Sequence, residues 1–397
     1  MHFHHRTIVL AAALAASTAA LAACGNTDRD ATVSEHATPR AGQKAPVAAR
    51  RPTLEWELEQ IVAAGSPGVI AAVDDGTGLS LNAVGAADVG SDRKLRPTDR
   101  FRAGSNTKTM VATVALQLVA EGKLSLSDTV ERRLPGVLPY GDQVNLRQLL
   151  NMTSGVPDYV PELEPKMVAD HAALTRAYTP RQLVGRVSEK PDFTPGTAWN
   201  YSTTGYVLAG MMIERATGNT MGEELDRRIF QPLRMRDTYL PGATTAIRGA
   251  HMHGYGDVNG TLRDLTDFNA SAGWAGGGAV TTAPDMARYW RALLGGRLLG
   301  AKQLKAMKTT VPVGEGYPGR YGLGLFRWTQ YEALCGVLWG NGGDLPGFSS
   351  EFLNSEDGRR QSGVIVNVNP IPKAVSGEAL GGAKRTAIAK ALGRDYC

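Results

Sequence analysis

Residues 101–108, with the sequence FRAGSNTK, decide how the rest of this 397-residue chain is interpreted. They place Ser105 and Lys108 three residues apart at the start of a helix-like pattern. On one face of that pattern, apolar residues recur at three- and four-residue spacing: Met110, Val111, Val114, Leu118 and Val119. Residues three apart on a helix lie side by side, so the Ser105 hydroxyl and the Lys108 amine are predicted to be within reach of each other.

This pair suits nucleophilic catalysis. A serine needs a base to remove its proton, and a lysine that is desolvated or close to another cation can be that base. The N-terminus of the helix would favour negative charge that develops beside the serine. The alternative for the motif alone is a helix-capping Ser105 with a solvated Lys108.

The composition and net charge limit the number of domains and the kinds of partner that the chain can have. With 43% hydrophobic residues, the length suits one large domain or two closely joined ones. The net charge of +5 is spread over isolated arginine pairs and forms no long basic run. We therefore expect mild attraction to anionic surfaces, such as a membrane or cell-wall polymers, and no nucleic-acid site.

The N-terminus is typical of an exported protein. Residues 1–23 predict a signal peptide, because their apolar stretch is short for a membrane span. The sequence LAACG at 21–25 resembles a bacterial lipobox, which makes Cys24 a candidate for lipidation. The alternative is ordinary cleavage and secretion. Residues 24–52 are small and polar, which indicates a flexible tether before a folded domain at 53–397.

Two further cysteines, Cys335 and Cys397, follow in the folded part. In an oxidising compartment they are a plausible disulfide that holds the C-terminus, and the alternative is two buried free thiols.

Strand-like patterns lie at both ends of the folded part. A glycine turn at 74–78 predicts a β-hairpin of residues 69–73 and 79–84. Later strands are predicted at 321–328, 335–339, 348–353 and 362–368, with a last helix at 374–392. Residues 125–270 predict short helices and loops. The fold class is therefore α+β, with one antiparallel sheet flanked by helices and an inserted, mostly helical region.

Two further motifs lie downstream of the first. Tyr201 in the sequence WNYSTTGY (199–206) is placed where a loop enters a helix, so its phenol could face Ser105 and move protons. Residues 339–344, WGNGGD, lie on the predicted late strands, where Gly342 and Gly343 would allow close approach of a substrate.

Together these motifs resemble the serine β-lactamase and penicillin-binding-protein superfamily, in the branch of class C β-lactamases, family VIII esterases and Streptomyces-type D-alanyl-D-alanine carboxypeptidases. The resemblance runs from about residue 54 to the C-terminus and includes, in order, LQLV at 116–119, EGKL at 121–124, TSG at 153–155 and YGLGL at 321–325. It implies the β-lactamase/transpeptidase-like fold.

The resemblance also implies roles for individual residues. Ser105 would form an acyl-enzyme, Lys108 would be its proton partner, and Tyr201 would be the general base or acid near the leaving group. The backbone N–H groups of Ser105 and Asp344 would form the oxyanion hole. In the family, a cysteine at the position of Cys335 pairs with one near the C-terminus.

Candidate substrate-binding residues carry departures from the family pattern. Thr203 stands where the second motif usually has asparagine, and Asn341 where the third usually has histidine or lysine. Because Asn341 has no titrating charge, the cation that this motif usually supplies is missing. Arg327 is the nearest candidate to supply it or to bind a substrate carboxylate. Trp274 is a candidate for an aromatic wall of the pocket, with plain packing as the alternative. Asp344 could repel a carboxylate.

The predicted function is a serine hydrolase without metal or organic cofactor. Its substrate would be a peptide or small molecule related to peptidoglycan or β-lactams, with esters as an alternative. A rival hypothesis is a non-catalytic lipoprotein that binds wall peptides. His251 and His253 alternate as on a strand but have no third metal ligand nearby, and a turn explains Ser154 better than a nucleophile does.

Overall fold

The computed structural model describes five stretches of the chain: 53–187, 189–314, 317, 319–370 and 383–384. The predicted signal peptide, Cys24 and the tether lie outside the described residues, as do Cys397 and most of the predicted last helix. Cys335 is disulfide-bonded, but its pairing with Cys397 stays a prediction. Among the described residues, no helix is both long and apolar enough to cross a bilayer.

Twelve strands are present in the described part of the chain: β1 Gly68–Asp74, β2 Leu79–Gly85, β3 Phe101–Arg102, β4 Tyr255–Val258, β5 Thr261–Asp264, β6 Val280–Thr281, β7 Val311–Pro312, β8 Arg320–Tyr321, β9 Phe326–Trp328, β10 Leu338–Leu345, β11 Phe348–Ser355 and β12 Gln361–Val366. Eight of them form one sheet in the order β2-β1-β12-β11-β10-β9-β8-β7, with antiparallel neighbours. The first and last strands of the domain therefore share one sheet, as the sequence predicts.

The α-helices of the same residues are α1 Leu54–Ala63, α2 Asn106–Ala120, α3 Val130–Arg133, α4 Leu146–Leu150, α5 Val160–Ala169, α6 His171–Thr175, α7 Pro180–Val184, α8 Thr203–Thr217, α9 Met221–Leu225, α10 Gln231–Leu233, α11 Trp274–Gly277, α12 Ala283–Leu294, α13 Ala301–Lys308 and α14 Glu332–Cys335. A π-helical turn, Asp226–Phe230, joins α9 to α10. Short helices thus fill the region between the two groups of strands, which confirms the predicted α+β class.

Two strand predictions are corrected. The predicted strand at 321–328 is two short strands, β8 and β9, because the chain turns at Gly324, whose φ is +91°. The predicted strand at 335–339 is β10, which starts at Leu338 and continues to Leu345. Glycines within WGNGGD weaken the strand pattern in the sequence, yet β10 pairs with β11 along its whole length.

Helix α2 lies between the sheet and the helical region. It contacts α8 and α11 on one side and β10 on the other, and nearly all of its residues are buried. The two-stranded pair of β3 with β6 fixes the segment just before Ser105. This packing places the N-terminus of α2 at the seam of the two layers.

Candidate active site

A cleft of 430 Å³ opens at the N-terminus of α2. Ser105 and Lys108 line it from that helix, Tyr201 and Thr203 from the start of α8, and the β10 edge closes another side. The sequence therefore predicted correctly that the three motifs meet at one site.

Ser105 does not cap its helix. It lies at the N-cap position with α-helical backbone angles, and its side chain makes no capping hydrogen bond. Its Oγ instead accepts hydrogen bonds from Lys108 Nζ at 3.0 Å and from the Tyr201 hydroxyl at 2.7 Å. The serine is thus held between two groups that can exchange protons with it.

Lys108 is buried and makes three hydrogen bonds. Besides Ser105, its Nζ donates to the Gly276 carbonyl at 2.6 Å and to Thr203 Oγ1 at 3.3 Å. Burial lowers the pKa of Lys108 to about 7, while the negative charge of Asp158 acts in the opposite direction. A large fraction of this lysine is therefore neutral near pH 7 and able to accept a proton.

Tyr201 is protonated in this environment. Burial raises the pKa of the Tyr201 phenol well above its ordinary value, and the hydrogen bond with Ser105 opposes this only in part. Lys108 Nζ lies 4.9 Å from the centre of the Tyr201 ring. The phenol is therefore a proton donor in the resting site, which leaves Lys108 as the base.

Backbone geometry brings the Ser105 loop against β10. Gly104 has a φ of +54°, and a Cβ on it would lie 2.7 Å from the Asp344 backbone nitrogen. A Cβ on Gly343 would lie 2.0 Å from the Ala103 carbonyl oxygen. Only glycines allow this approach, and it places the backbone nitrogens of Ser105 and Asp344 on neighbouring segments, as an oxyanion hole requires.

Thr203 and Asn341, the two departures from the family pattern, both have partners. The Thr203 hydroxyl contacts Lys108, and hydrogen bonds from Thr203 also bear on the Asp158 carboxylate. Asn341 Nδ2 donates to the Ser105 carbonyl at 3.2 Å and to Thr109 Oγ1 at 3.0 Å. Asn341 thus fastens β10 to α2 without supplying a charge.

Arg327 does not face the cleft. Side chains alternate along a strand, and its neighbours Phe326 and Trp328 line the cleft, whereas Arg327 pairs with Glu332 on the other side. The cleft is lined by three other predicted residues, Asn341, Gly342 and Asp344. Gly343 packs against Ala103. The predicted role of Arg327 as substrate ligand or local cation is therefore wrong.

Trp274 is also turned away from the cleft. Its ring packs close to Gly210 on α8, where a Cβ would meet it at 3.0 Å, so packing is the correct alternative. The aromatic wall comes instead from Tyr317, Phe326 and Trp328. Tyr317 stacks almost parallel on Tyr201, with ring centres 5.7 Å apart.

Sequence reasoning missed two of the three carboxylates of the cleft. Asp158 and Glu164 line it together with Asp344. Burial is the main cause that raises the pKa of Asp158 and of Glu164, and for Glu164 the charges of Asp344 and Asp158 add to it. The only signal in the sequence was that Asp158 follows the TSG motif closely.

Ser154, His251 and His253, the other residues considered in the sequence, have structural roles. Ser154 Oγ accepts a hydrogen bond from the Val156 backbone N–H, as expected for a turn. His251 and His253 stack on each other, and no group of metal ligands occurs among the described residues. Tyr159 lines the cleft and donates to the Ala272 carbonyl at 2.6 Å.

Comparison with known proteins identifies the family of the chain. A family model described as Beta-lactamase matches residues 54–381. The chain belongs to the beta-lactamase family. This family assignment makes it a member of the superfamily of serine hydrolases with a β-lactamase/transpeptidase-like fold.

Among curated proteins, the chain is similar to Penicillin-binding protein 4* of Bacillus subtilis, with 27% identity over 305 residues that cover 74% of this chain and 66% of that protein. Among solved structures, it is similar to a D-stereospecific amidohydrolase from Streptomyces sp., with 36% identity, a TM-score of 0.74, and coverage of 83% of this chain and 97% of that one. It is also similar to a D-amino acid amidase from Ochrobactrum anthropi SV3, with 29% identity, a TM-score of 0.74, and coverage of 85% and 97%.

Proposed function

We propose that this beta-lactamase family member is an amidohydrolase that acts through an acyl-enzyme on amides of D-amino acids or short D-peptides with a free amino group. The observation that carries this proposal is the charge of the cleft. Its described lining holds three carboxylates, Asp158, Glu164 and Asp344, and Lys108 as its one basic residue. A substrate ammonium group is attracted there, while a substrate carboxylate is repelled.

The same charge argues against a D-alanyl-D-alanine carboxypeptidase. Such an enzyme must hold the free carboxylate of a terminal residue, and Arg327, the arginine considered for this task, points away from the cleft. Lys108 is already committed to Ser105, Thr203 and Gly276. The D-stereospecific amidohydrolase and D-amino acid amidase among the similar structures support the amide alternative.

The chemistry follows from the proton positions. Neutral Lys108 takes the proton of Ser105 Oγ, which attacks the amide carbonyl, and the backbone N–H groups of Ser105 and Asp344 stabilise the oxyanion. Protonated Tyr201, 2.7 Å from Ser105 Oγ, donates to the leaving nitrogen. Water then hydrolyses the acyl-enzyme with the same groups in reverse order.

The test compares two glutamates of α5 at pH 8. Glu164 lines the cleft, while Glu162 is exposed and paired with Lys166, so Glu162→Gln is the matched control. We expect Glu164→Gln to raise the KM for D-alanine amide about three- to tenfold and to leave the KM for the ester p-nitrophenyl acetate unchanged. Glu162→Gln should change neither.

Two results would contradict the amine preference while leaving the hydrolase intact. One is equal turnover of D-alanine amide and its N-acetylated form. The other is faster turnover of an N-acetylated D-alanyl-D-alanine peptide that carries a free carboxylate. If neither the parent nor Ser105→Ala hydrolyses any of these substrates, the result favours the rival hypothesis of a binding lipoprotein.

Benzylpenicillin offers a second probe because it carries a carboxylate. We expect little stable mass increase on Ser105 after incubation with the drug, and a larger one in Asp344→Asn, measured by intact-mass spectrometry. Rapid and complete acylation of the parent would contradict the repulsive role assigned to Asp344.

We also propose export as a lipoprotein anchored at the outer face of the membrane through Cys24. The support is the lipobox-like sequence at 21–25 and the small, polar stretch at 24–52 that follows it. The expected mature protein partitions into detergent and carries diacylglycerol mass on Cys24, and Cys24→Ala should abolish both. Detection of the mature protein only in the medium would contradict the anchor.

A further inference from the structure

Three adjoining concavities, of 340, 400 and 410 Å³, lie apart from the catalytic cleft and share no lining residue with it. The first shares Arg236 with the second, and the second shares Arg288 with the third. The three concavities therefore lie in series, and we call them together the arginine groove, which runs from Arg248 to Arg297.

Each concavity of the groove presents three arginines. The first has Arg100, Arg236 and Arg248. The second has Arg234, Arg236 and Arg288. The third has Arg288, Arg291 and Arg297. With Arg236 and Arg288 shared, seven arginines line the groove against four aspartates, so its net charge is positive.

Three of these aspartates are each paired with an arginine of the groove: Asp237 with Arg100, Asp285 with Arg288, and Asp74 with Arg291. The fourth, Asp226, accepts a hydrogen bond from Gln231. The other four arginines are Arg234, Arg236, Arg248 and Arg297, which are exposed and take part in no ion pair among the described residues. The positive charge that is left over thus recurs along the groove.

We propose that the arginine groove binds an extended, soluble phosphodiester polymer, with successive phosphates in successive concavities. The guanidinium group presents a planar fork of donors that matches phosphate oxygens, which is why arginine suits phosphate recognition. A series of concavities that each carry a net positive charge fits a chain with one negative charge per repeating unit. This inference rests on the groove alone and is independent of the proposed amidohydrolase activity.

The shape of the groove favours a flexible polymer over two other anionic partners. A polymer chain can follow a line of hollows, whereas a flat bilayer touches mainly their rims. Single-stranded nucleic acids need aromatic faces on which bases stack. Of the two aromatic residues that line the groove, Phe230 is buried, and Arg248 covers one face of the Tyr239 ring at 4.6 Å from its centre.

The experiment measures binding of fluorescent poly(glycerol phosphate) to the full chain by anisotropy over a range of salt concentrations. The groove variant carries Arg234→Gln, Arg236→Gln and Arg248→Gln. The matched control carries Arg147→Gln, Arg181→Gln and Arg215→Gln, which remove the same charge from exposed arginines outside the groove. Thermal unfolding followed by circular dichroism reports that each variant is folded.

We expect the parent to bind more weakly as salt rises, and the groove variant to lose at least about tenfold in affinity with a smaller salt slope. The control variant should stay within about twofold of the parent. Equal losses in both variants would overturn the site in favour of general charge attraction. Stronger binding of oligothymidylate, of polyglutamate, or of phosphatidylglycerol vesicles than of poly(glycerol phosphate) would overturn the proposed ligand.

Discussion

The catalytic cleft and the arginine groove are two concave regions of one domain with opposite charge. The cleft holds three carboxylates around one buried lysine, and the groove holds seven arginines around four aspartates. The net charge of +5 reveals neither. The difference shows that ligand preference depends on where the charges lie and on how far they are buried, and the sum over the chain does not determine it.

The two regions also differ in how they use burial. Lys108 is out of contact with water and its pKa falls to about 7, which makes it a base. The free arginines of the groove are exposed to solvent, where a guanidinium group can reach an anionic ligand. Burial therefore allows Lys108 to accept a proton in the cleft, and exposure leaves the arginines of the groove accessible to a ligand.

The largest expected effect is confined to one of the two regions, the cleft. Ser105→Ala should lower hydrolysis by at least about 10⁴-fold, because the nucleophile is lost, and should leave polymer binding in the groove unchanged. Ser154→Ala is the control, since its Oγ serves a turn. Steady-state rates and anisotropy measure both properties, and substantial activity without Ser105 would refute the acyl-enzyme.

Lys108→Met should remove the base and at the same time stabilise the fold. We expect a rate loss of about 10²–10⁴-fold. Because the pKa of Lys108 is lower in the folded state than its ordinary 10.5, the unfolded chain binds more protons between about pH 7 and 10.5, so this lysine makes stability rise with pH in that window.

Removing the lysine should therefore raise the free energy of unfolding on the order of 1–3 kcal/mol near pH 7, and by less at pH 10. Chemical denaturation at both pH values checks this. Exposed Lys123→Met, which loses a surface ion pair with Glu121, should change stability by less than about 0.5 kcal/mol. A Lys108→Met protein that is less stable than the parent at pH 7 would contradict the cost assigned to burial.

Gly104→Ala tests the close approach on which the proposed oxyanion hole depends. A Cβ there would lie 2.7 Å from both Asp344 N and Gly343 C, so we expect kcat to fall about 10²–10³-fold with groove binding retained. Gly122→Ala has the same kind of positive φ, +72°, with nothing within 4 Å. It should share the backbone strain and keep its activity, and equal loss in both would point to strain alone.

Asp158→Asn is the variant with the smallest expected effect, which is a change in the pH dependence of kcat. The Asp158 charge raises the pKa of Lys108, against the effect of burial. Without it, Lys108 should become neutral at a lower pH, so the acidic limb of kcat moves to lower pH. Tyr201 and Tyr206, which also face Lys108, stay neutral because burial raises the pKa of each.

A neutral ester, p-nitrophenyl acetate, separates this effect from amine binding. The ratio of rates at pH 6 and pH 8 should rise a few-fold in Asp158→Asn, while Glu162→Gln should match the parent. A shift of the limb to higher pH would show that Asp158 acts on catalysis by another route.

The sequence by itself determined the family and several of the local elements. The glycine turn at 74–78 and its flanking apolar runs give the β1–β2 hairpin within one residue of the prediction. The spacing of Ser105 and Lys108 at the start of α2 gives their contact. These features depend on neighbours within a few residues, where backbone preference and helix geometry are decisive.

Only the tertiary structure decided which side chains meet in each region. Arg327 is excluded from the cleft because side chains alternate along β9. A shift of one residue in the register of this strand would turn the Arg327 side chain toward the cleft. Trp274 is turned toward α8, while Glu164 arrives from a helix with no motif of its own. The groove joins arginines from Arg100 to Arg297, which no local pattern connects. Long-range packing sets these positions, because a side chain's direction and neighbours follow from how whole elements dock.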